Sequence, residues 1–588
     1  MKRLKSLFLS LIVIQTSVML ICVLLIFSAN SAQVTAQEQG DDAGSAGIGD
    51  PYFPTLGNGG YDALHYTLDL TVDVEDNQIE ATTLIDARAT QDLSSFNLDF
   101  TDMAISEVTV NDAPAEFVHS TAQDEGGGIL GNNYGTGELT ITPDEPLIEG
   151  QNFTVFIRYS GEPTGSWYNY SDGIMVAGEP DGASGWYPVN EHPLDKASYT
   201  IRVTVAKPYL AAANGLLQNT IDSGRTRTFI WEADTPMASY LVTLGIGDFD
   251  IETDETTSGI PIRHYFGADL PRSVTSDFDR VPEMIDYFET VFGPYPFNVY
   301  GVIVHDTDLG FALETQTLAV FGSNFTNEIV AAHELAHQWF GDSVSVGAWQ
   351  HIWLNEGFAT YAESLWTEHT QGTETMEERI RQDYEDLADT DREFSVSPEE
   401  ILNAFDQISL DDIALTQDQA AEALNHLLGA ELDADEIDAL TAELPSGELS
   451  GADLREVIDA ADFDDVTLSQ IRFNDFLLAV GLDEFIQESQ VQIGDPSPDN
   501  LFAGEVYVRG GLTLHALRLE IGDEAFFQTL RTYTKQFFNS NVVTDDFIAV
   551  AESVSGRDLD DFFQAWLFDS TLPDIPQMDL YQANFVDE

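Results

Sequence analysis

The first long pattern in the chain is an alternation of apolar and polar residues. Residues 66–74, 153–159 and 201–205 place apolar side chains at every second position, and Gly, Pro and Asp punctuate the intervals. Because successive side chains of a strand point to opposite faces of a sheet, this period of two is typical of half-buried strands. The pattern predicts an antiparallel β domain at residues 51–250.

Further along the chain, residues spaced as on a helix carry the candidate chemistry. His333 and His337 are four residues apart, so one helix face can offer both imidazoles to a single ion. Gly341 can end this helix and let the chain enter a second helix, which carries Glu356. Two imidazoles and one carboxylate predict a catalytic zinc site, because three protein ligands leave the fourth tetrahedral position to water or substrate. Glu334 lies beside the two histidines and is the candidate general base.

A surface helix with two unrelated histidines is the alternative to a zinc site. Such a match arises by chance in roughly one chain in a hundred of this size. Trp339, Phe340, Trp349 and Trp353 surround the motif and predict a packed environment, which favours the zinc site.

The composition of the chain is strongly acidic. Its 588 residues include 102 acidic and 23 basic residues, which gives a formal net charge of −79. Such a charge argues against nucleic acid and anionic membrane surfaces as partners. It suits solubility in salty surroundings, and it equally fits an ordinary well-solvated surface. The length predicts two or more domains with a sizeable core.

Residues 1–36 have the pattern of a targeting segment. Three basic residues precede an apolar run at 7–27, and small residues follow it. This predicts a signal peptide that is cleaved after Ser31 or Ala36, or an uncleaved membrane anchor, because the run is long enough to span a bilayer. Either form predicts export of the remaining chain. The single cysteine, Cys22, lies inside the run, so a cleaved chain has no disulfides.

The zinc motif resembles that of a known family. His333-Glu334-x-x-His337, then eighteen residues, then Glu356 within Asn-Glu-Gly-Phe-Ala, is similar to the gluzincin motif of the M1 aminopeptidases. The resemblance extends over most of residues 50–575. It implies an α+β multidomain protein in which the β domain precedes a thermolysin-like catalytic domain at 251–575 with one zinc ion.

Three further segments complete the predicted organisation. Residues 37–50 are rich in Gly, Ala and Asp and predict a flexible linker. Residues of about 400–475 are dense in Ala, Leu, Asp and Glu at helical spacing, which predicts a helical insertion in the catalytic domain. Residues 576–588 are the tail.

Gly310 to Thr317 resembles the Gly-Ala-Met-Glu-Asn strand of the family, in which the glutamate helps to hold the amine of the substrate. Phe311, Leu313 and Thr315 depart from that pattern, but Glu314 is retained. The resemblance implies that this carboxylate pairs with a protonated terminal amine, which favours exopeptidase over endopeptidase cleavage.

Two more residues acquire roles through the resemblance. Glu179, in Gly178-Glu179-Pro180-Asp181, resembles the residue by which the family's amino-terminal domain helps to hold the free amine. Tyr507, in a segment that resembles the family's Tyr-x-Lys-Gly with Arg509 for lysine, is implied to stabilise the oxyanion formed during amide attack.

Together these features imply a zinc metalloaminopeptidase that acts on peptides with a free amino terminus. Nucleic acid is not an expected partner, and a membrane is expected only through the amino-terminal segment. A gluzincin endopeptidase remains the enzymatic alternative, and a non-catalytic exported binding protein on the same fold is the alternative from another class.

Overall fold

The computed structural model of the protein describes most of residues 43–582. The gaps are residues 102, 121–136, 172, 308, 390–393, 397–400, 402–404, 406–413, 429–439, 442–443, 445–448, 461–465, 469–475, 477–478, 481–490 and 570. The predicted targeting segment, the start of the predicted linker and the end of the predicted tail lie outside the described residues. Within the described part of the chain, no helix combines the length and the apolar character needed to cross a membrane.

The alternating segments of the sequence form the core strands of a large sheet. In β1 the buried positions alternate with more exposed ones, as a half-buried strand requires. The strands of this sheet are β1 (Tyr61–Asp73), β2 (Gln78–Ala89), β4 (Ala104–Val110), β5 (Ala113–Pro114), β8 (Asn152–Gly161), β11 (Ala197–Ala206), β13 (Leu216–Ser223) and β14 (Thr226–Met237).

This eight-stranded sheet is mixed and not wholly antiparallel. Its order is β13-β14-β11-β1-β2-β8-β4-β5. β1 pairs with β2 in antiparallel fashion but with β11 in parallel. The prediction that the β domain is antiparallel was therefore wrong for this pair of strands. The physical reason is that periodicity determines which face a side chain takes, whereas it carries no information on the direction of the neighbouring strand.

Two smaller sheets complete the amino-terminal half. Their strands are β3 (Phe96–Asp99), β6 (Glu116–Ser120), β7 (Glu138–Thr142), β9 (Trp167–Tyr170), β10 (Gly173–Val176), β12 (Leu210–Ala213) and β15 (Leu244–Gly247). One sheet has the order β3-β7-β6, and the other has the order β12-β15-β10-β9. Glu179 follows β10 by three residues.

A five-stranded sheet begins next to the predicted domain boundary at residue 250. Its strands are β16 (Phe249–Glu255), β17 (Pro261–Gly267), β18 (Tyr300–His305), β19 (Ala312–Leu313) and β20 (Ala319–Gly322), in the order β16-β17-β18-β20-β19. β17, β18 and β20 are parallel, and the outer strands are antiparallel to them. β19 is thus an edge strand, and Glu314 follows it immediately.

Helices pack beside this sheet and form the rest of the carboxy-terminal half. A short parallel pair, β21 (Ser345–Val346) and β26 (Asn541–Val542), connects them. The helices are α1 (Arg272–Thr275), α2 (Val281–Phe292), α3 (Glu328–Ala336), α4 (Trp353–Gln371), α5 (Thr373–Asp389), α6 (Gln417–Leu428), α7 (Gly451–Ala460), α8 (Gly504–Ile521), α9 (Asp523–Gln536), α10 (Thr544–Ser555) and α11 (Asp560–Phe563).

Helices α4 and α8 cross at two glycines. A Cβ atom added to Gly357 would lie 2.8 Å from the Cα of Gly510, and one added to Gly510 would lie 2.6 Å from the Cα of Gly357. Gly510 lies inside α8, six residues after its start at Gly504. Gly510 does not interrupt the helix, because it permits a close packing that offsets its low helix propensity.

Buried polar contacts join the β domain to the end of α3. Lys196 Nζ donates to the carbonyl oxygens of Asp342 and Ser343 at 3.0 Å each, and burial lowers the pKa of this lysine to about 7. Asp50, the last residue of the predicted linker, is buried and not free, and its Oδ2 accepts from the backbone N–H of Trp349 at 2.9 Å. These contacts hold the β domain and the end of the predicted linker against the segment between α3 and α4.

Within the predicted insertion, the described residues form a small separate unit. Helices α6 and α7 share a hydrophobic cluster that is distinct from the main core. Two short antiparallel strand pairs accompany them, and most of the other residues of the predicted insertion lie outside the described residues. The strands of these pairs are β22 (Phe394–Val396) with β25 (Val466–Leu468), and β23 (Ala414–Leu415) with β24 (Leu449–Ser450).

Candidate active site

Helix α3 presents the first three site residues. The side-chain Oδ1 of Asn327 caps its start by accepting from two backbone N–H groups at 2.9 Å. His333 and Glu334 lie within the helix, and His337 is its C-cap residue. The helix therefore ends one turn before Gly341, where the sequence had suggested its end. The four-residue spacing still places both imidazoles on one side.

The two histidines converge on Glu356 of α4. The Oε2 atom of Glu356 is 3.3 Å from Nε2 of His333 and 3.4 Å from Nε2 of His337. One ligand atom from each of these residues lies within 4.8 Å of the others. Two imidazole nitrogens and a carboxylate oxygen around one point are the donor set of a catalytic zinc ion, so these residues fit the predicted metal.

The other ring nitrogens of the histidines have acceptors that orient the rings. Nδ1–H of His333 donates to Oε1 of Glu363 at 2.8 Å, and Nδ1–H of His337 donates to the carbonyl oxygen of Phe340 at 3.0 Å. Arg379 in turn forms an ion pair with Glu363. Because both Nδ1 atoms are donors, both Nε2 atoms are left free to bind a metal.

Glu334 is buried beside the histidines. Its side chain lines the same cavity, and only 5% of the residue is exposed. Burial raises the pKa of Glu334 to about 8, against the opposing effect of the two nearby histidines. A divalent cation bound beside it would favour the carboxylate form, which is the form that can accept a proton.

Glu179 and Glu314 bring two carboxylates from different domains to one place. Carboxylate oxygens of both lie within 4.8 Å of one another and of Glu356. Within the described part of the chain, Oε1 of Glu179 and Oε1 of Glu314 are buried and accept no hydrogen bond. Burial and mutual repulsion raise the pKa of Glu179, and burial raises that of Glu314. A protonated amine would supply the missing donors and the missing positive charge.

Tyr507 reaches the site from the first turn of α8. Its ring stacks near that of His333, with centroids 6.0 Å apart and an interplanar angle of 21°. Burial raises the pKa of the Tyr507 hydroxyl well above its usual range, as do the site carboxylates. The hydroxyl therefore keeps its proton and is available as a donor.

All seven predicted site residues line one cavity of about 320 Å³. The lining also includes residues that the sequence did not single out. Glu363 lies seven residues after Glu356, so helical spacing could have indicated it. Besides Tyr507, four aromatic residues from separate segments line the cavity, and no local signal had assigned them to it: Tyr168, Phe311, Phe325 and Phe502.

Two family models match the chain. The model described as "Peptidase M1 N-terminal domain" matches residues 62–241, and the one described as "Peptidase family M1 domain" matches residues 277–414 and 455–566. The unmatched residues 415–454 fall in the predicted insertion.

Curated relatives match part of the chain. A glutamyl aminopeptidase of Bitis rhinoceros is 23% identical over 467 residues, which cover 74% of this chain and 39% of the relative. Glutamyl aminopeptidase of Homo sapiens is 30% identical over 260 residues, with coverages of 39% and 27%. Endoplasmic reticulum aminopeptidase 1 of Homo sapiens is 24% identical over 337 residues, with coverages of 51% and 34%. The chain thus spans about two fifths or less of the length of these relatives.

Solved structures match over almost their full length. An M1 zinc metallopeptidase from Deinococcus radiodurans has a TM-score of 0.65 and 26% identity, and the match covers 90% of this chain and 99% of that one. A mutant of a two-domain M1 zinc metallopeptidase bound to L-arginine has a TM-score of 0.66 with the same identity and coverage.

Proposed function

The chain belongs to peptidase family M1, and from the arrangement of its site we propose that it is a zinc-dependent aminopeptidase. It removes single residues from the amino termini of peptides. The observation that carries this proposal is the meeting of two sets of residues in one cavity. His333, His337 and Glu356 form the metal-binding set, and Glu179 and Glu314 form the amine-binding set.

The residues of the site divide the work of hydrolysis. His333, His337 and Glu356 would hold a zinc ion, which would supply the Lewis acidity that polarises the scissile carbonyl and lowers the pKa of water. Glu334 accepts the proton of the attacking water and passes it to the leaving amine. The Tyr507 hydroxyl donates a hydrogen bond to the carbonyl oxygen as that atom becomes negative.

Glu179 and Glu314 restrict the reaction to the first peptide bond. Their buried carboxylates attract the protonated amino terminus, and their oxygens lie within 4.8 Å of a Glu356 oxygen, so an amine held there brings the first peptide bond to the metal-binding residues. A peptide without a free amine leaves the two buried carboxylates without a cationic partner, which disfavours its binding. This arrangement favours an aminopeptidase over the endopeptidase alternative.

The test is Glu334→Gln together with a capped substrate. We expect the variant to bind one zinc ion per chain and to lose kcat/KM by at least about a thousandfold, because the proton acceptor is gone. A chelator should also abolish the activity of the wild type. Acetylation of the substrate amine should abolish hydrolysis as well, because the acetyl group removes the charge that the two carboxylates bind.

The exposed Glu374 of α5 provides the matched control, since Glu374→Gln makes the same change outside the cavity. Wild-type activity in Glu334→Gln would refute the assigned base, and unchanged hydrolysis of acetylated peptides would favour the endopeptidase. Zinc binding without turnover of any peptide would favour the binding protein.

The preferred first residue of the substrate is not inferred from the names of the relatives. Two of those described above are glutamyl aminopeptidases, but the chain covers only 39% and 27% of their length.

We also propose that the catalytic part is exported. The support is the basic and then apolar pattern of residues 1–36, which lies outside the described residues. Fractionation of cells that express the full chain, followed by sequencing of the amino terminus, distinguishes a cleaved signal peptide from an anchor.

A further inference from the structure

The cavity wall beside the amine-binding carboxylates is apolar. Leu313 directly precedes Glu314, and Ala177 lies two residues before Glu179. Leu313 and Ala177 line the cavity and belong to one buried cluster. The amine and the side chain of an amino acid are bonded to the same carbon atom. An amine held by the two carboxylates therefore brings the first side chain of the peptide against this wall.

Two partly buried aromatic rings extend this wall. Tyr168, in β9, and Phe311, just before β19, have ring centroids 6.3 Å apart and pack against the Leu313 cluster. Tyr168 comes from the β domain and Phe311 from the catalytic domain, so the two domains build the wall together. Tyr168 is also stacked on Tyr170, with ring planes 2° apart, which restricts its orientation. Rings held in this way offer a large apolar surface to a substrate.

The charges that line the cavity are unfavourable for an acidic first residue. Among the described residues that line the cavity there is no Lys or Arg. Five carboxylates line it: Glu179, Glu314, Glu334, Glu356 and Glu363. A Glu or Asp side chain would lose its hydration beside these groups without gaining a cationic partner. A neutral side chain has no such penalty and buries apolar surface.

We propose that this cavity selects peptides whose first residue is apolar or aromatic and discriminates against an acidic one. Tyr168 and Phe311 are the specificity-determining residues. The proposal rests on the aminopeptidase function and adds the substrate class to it.

The first experiment compares aminoacyl p-nitroanilides with the zinc-loaded wild-type protein. We expect kcat/KM for Phe and Leu to exceed that for Glu by at least about tenfold. Gln serves as the uncharged control of nearly the same shape, and it should also be cleaved at least about tenfold faster than Glu. Cleavage of Glu as fast as Gln or Phe would overturn the inference and leave the aminopeptidase function intact. Cleavage of none of these free-amine substrates would overturn the proposed function itself.

The second experiment assigns the preference to the two rings. Tyr168→Ala and Phe311→Ala should each lower kcat/KM for the Phe substrate about tenfold relative to the Ala substrate, mainly through KM. Phe311→Leu should restore most of the loss, because it returns apolar surface. Phe538→Ala, at a residue that is 51% exposed outside the cavity, is the control.

The ratio of two substrates within one preparation corrects for any misfolded fraction. An equal loss on the Phe and Ala substrates would indicate a merely structural role for the rings and would overturn their assignment.

Discussion

At the scale of single residues, the site depends on groups that hold the metal ligands. Glu363 accepts a hydrogen bond from Nδ1 of His333 at 2.8 Å and forms an ion pair with Arg379. It keeps the imidazole in the tautomer that presents Nε2 to a metal. Outer groups of this kind commonly contribute a factor of ten to a hundred to metal affinity.

We therefore predict that Glu363→Gln weakens zinc binding by about 10-fold to 100-fold, since the neutral amide is a poorer acceptor for His333. Competition with a chromogenic chelator measures the affinity directly and does not require activity. Glu363→Asp should have an intermediate effect, and the exposed Glu374→Gln should have none. An unchanged zinc affinity in Glu363→Gln would show that the hydrogen bond does not support the ligand.

At the scale of elements, the crossing of α4 and α8 positions Tyr507 relative to the zinc ligands. α4 carries Glu356, and the adjacent Gly357 touches Gly510, which lies one turn after Tyr507. Because neither glycine has room for a Cβ atom, the distance between the two helix axes is set by backbone contact.

Gly510→Ala is predicted to force the helices apart. We expect the unfolding free energy to fall by about 1–3 kcal/mol, as for other overpacked cores, and kcat to fall as Tyr507 moves away from the carbonyl oxygen. Thermal unfolding and steady-state kinetics measure the two effects. Gly504→Ala is the matched control, since a Cβ atom there meets nothing within 4 Å. Equal stability of the two variants would contradict the close packing.

At the scale of the whole molecule, the chain carries a formal net charge of −79. Some of its carboxyl groups are not on the surface but buried inside the β domain. Burial raises the pKa of Asp195 to about 8, although the Ala63 N–H and the Asn190 amide donate to it. Burial likewise raises the pKa of Glu138 to about 8. The folded protein therefore retains protons on these groups that the unfolded chain releases near pH 4.

This difference predicts that stability falls as the pH rises. Between pH 3.8 and about 8 the folded state binds more protons at Asp195 than the unfolded state, so the unfolding free energy decreases with increasing pH in that window. Each such group contributes up to about 1.4 kcal/mol per pH unit. Urea unfolding at a series of pH values measures the slope.

Asp195→Asn should make the slope shallower, because the amide does not titrate. About 1 M NaCl should raise the unfolding free energy at every pH, because it screens repulsion among surface carboxylates. It should not change the part of the pH dependence that comes from the buried Asp195. A slope identical in the variant and the wild type would contradict the raised pKa.

The sequence by itself determined the parts that depend on local spacing. A period of two predicted β1, β8 and β11, and the four-residue spacing of His333 and His337 brought two ligands to one face of α3. These predictions succeeded because periodicity directly fixes the face on which a side chain lies. The α+β architecture and the family are confirmed by the fold and by the matched models.

Only the tertiary structure decided what depends on segments far apart in the chain. It made the large sheet mixed and placed Glu179, which precedes the zinc helix by about 150 residues, beside Glu314. It also built the apolar wall from Tyr168 and Phe311. Such contacts result from the packing of whole sheets and helices, and no local pattern of residues encodes which distant surfaces will meet.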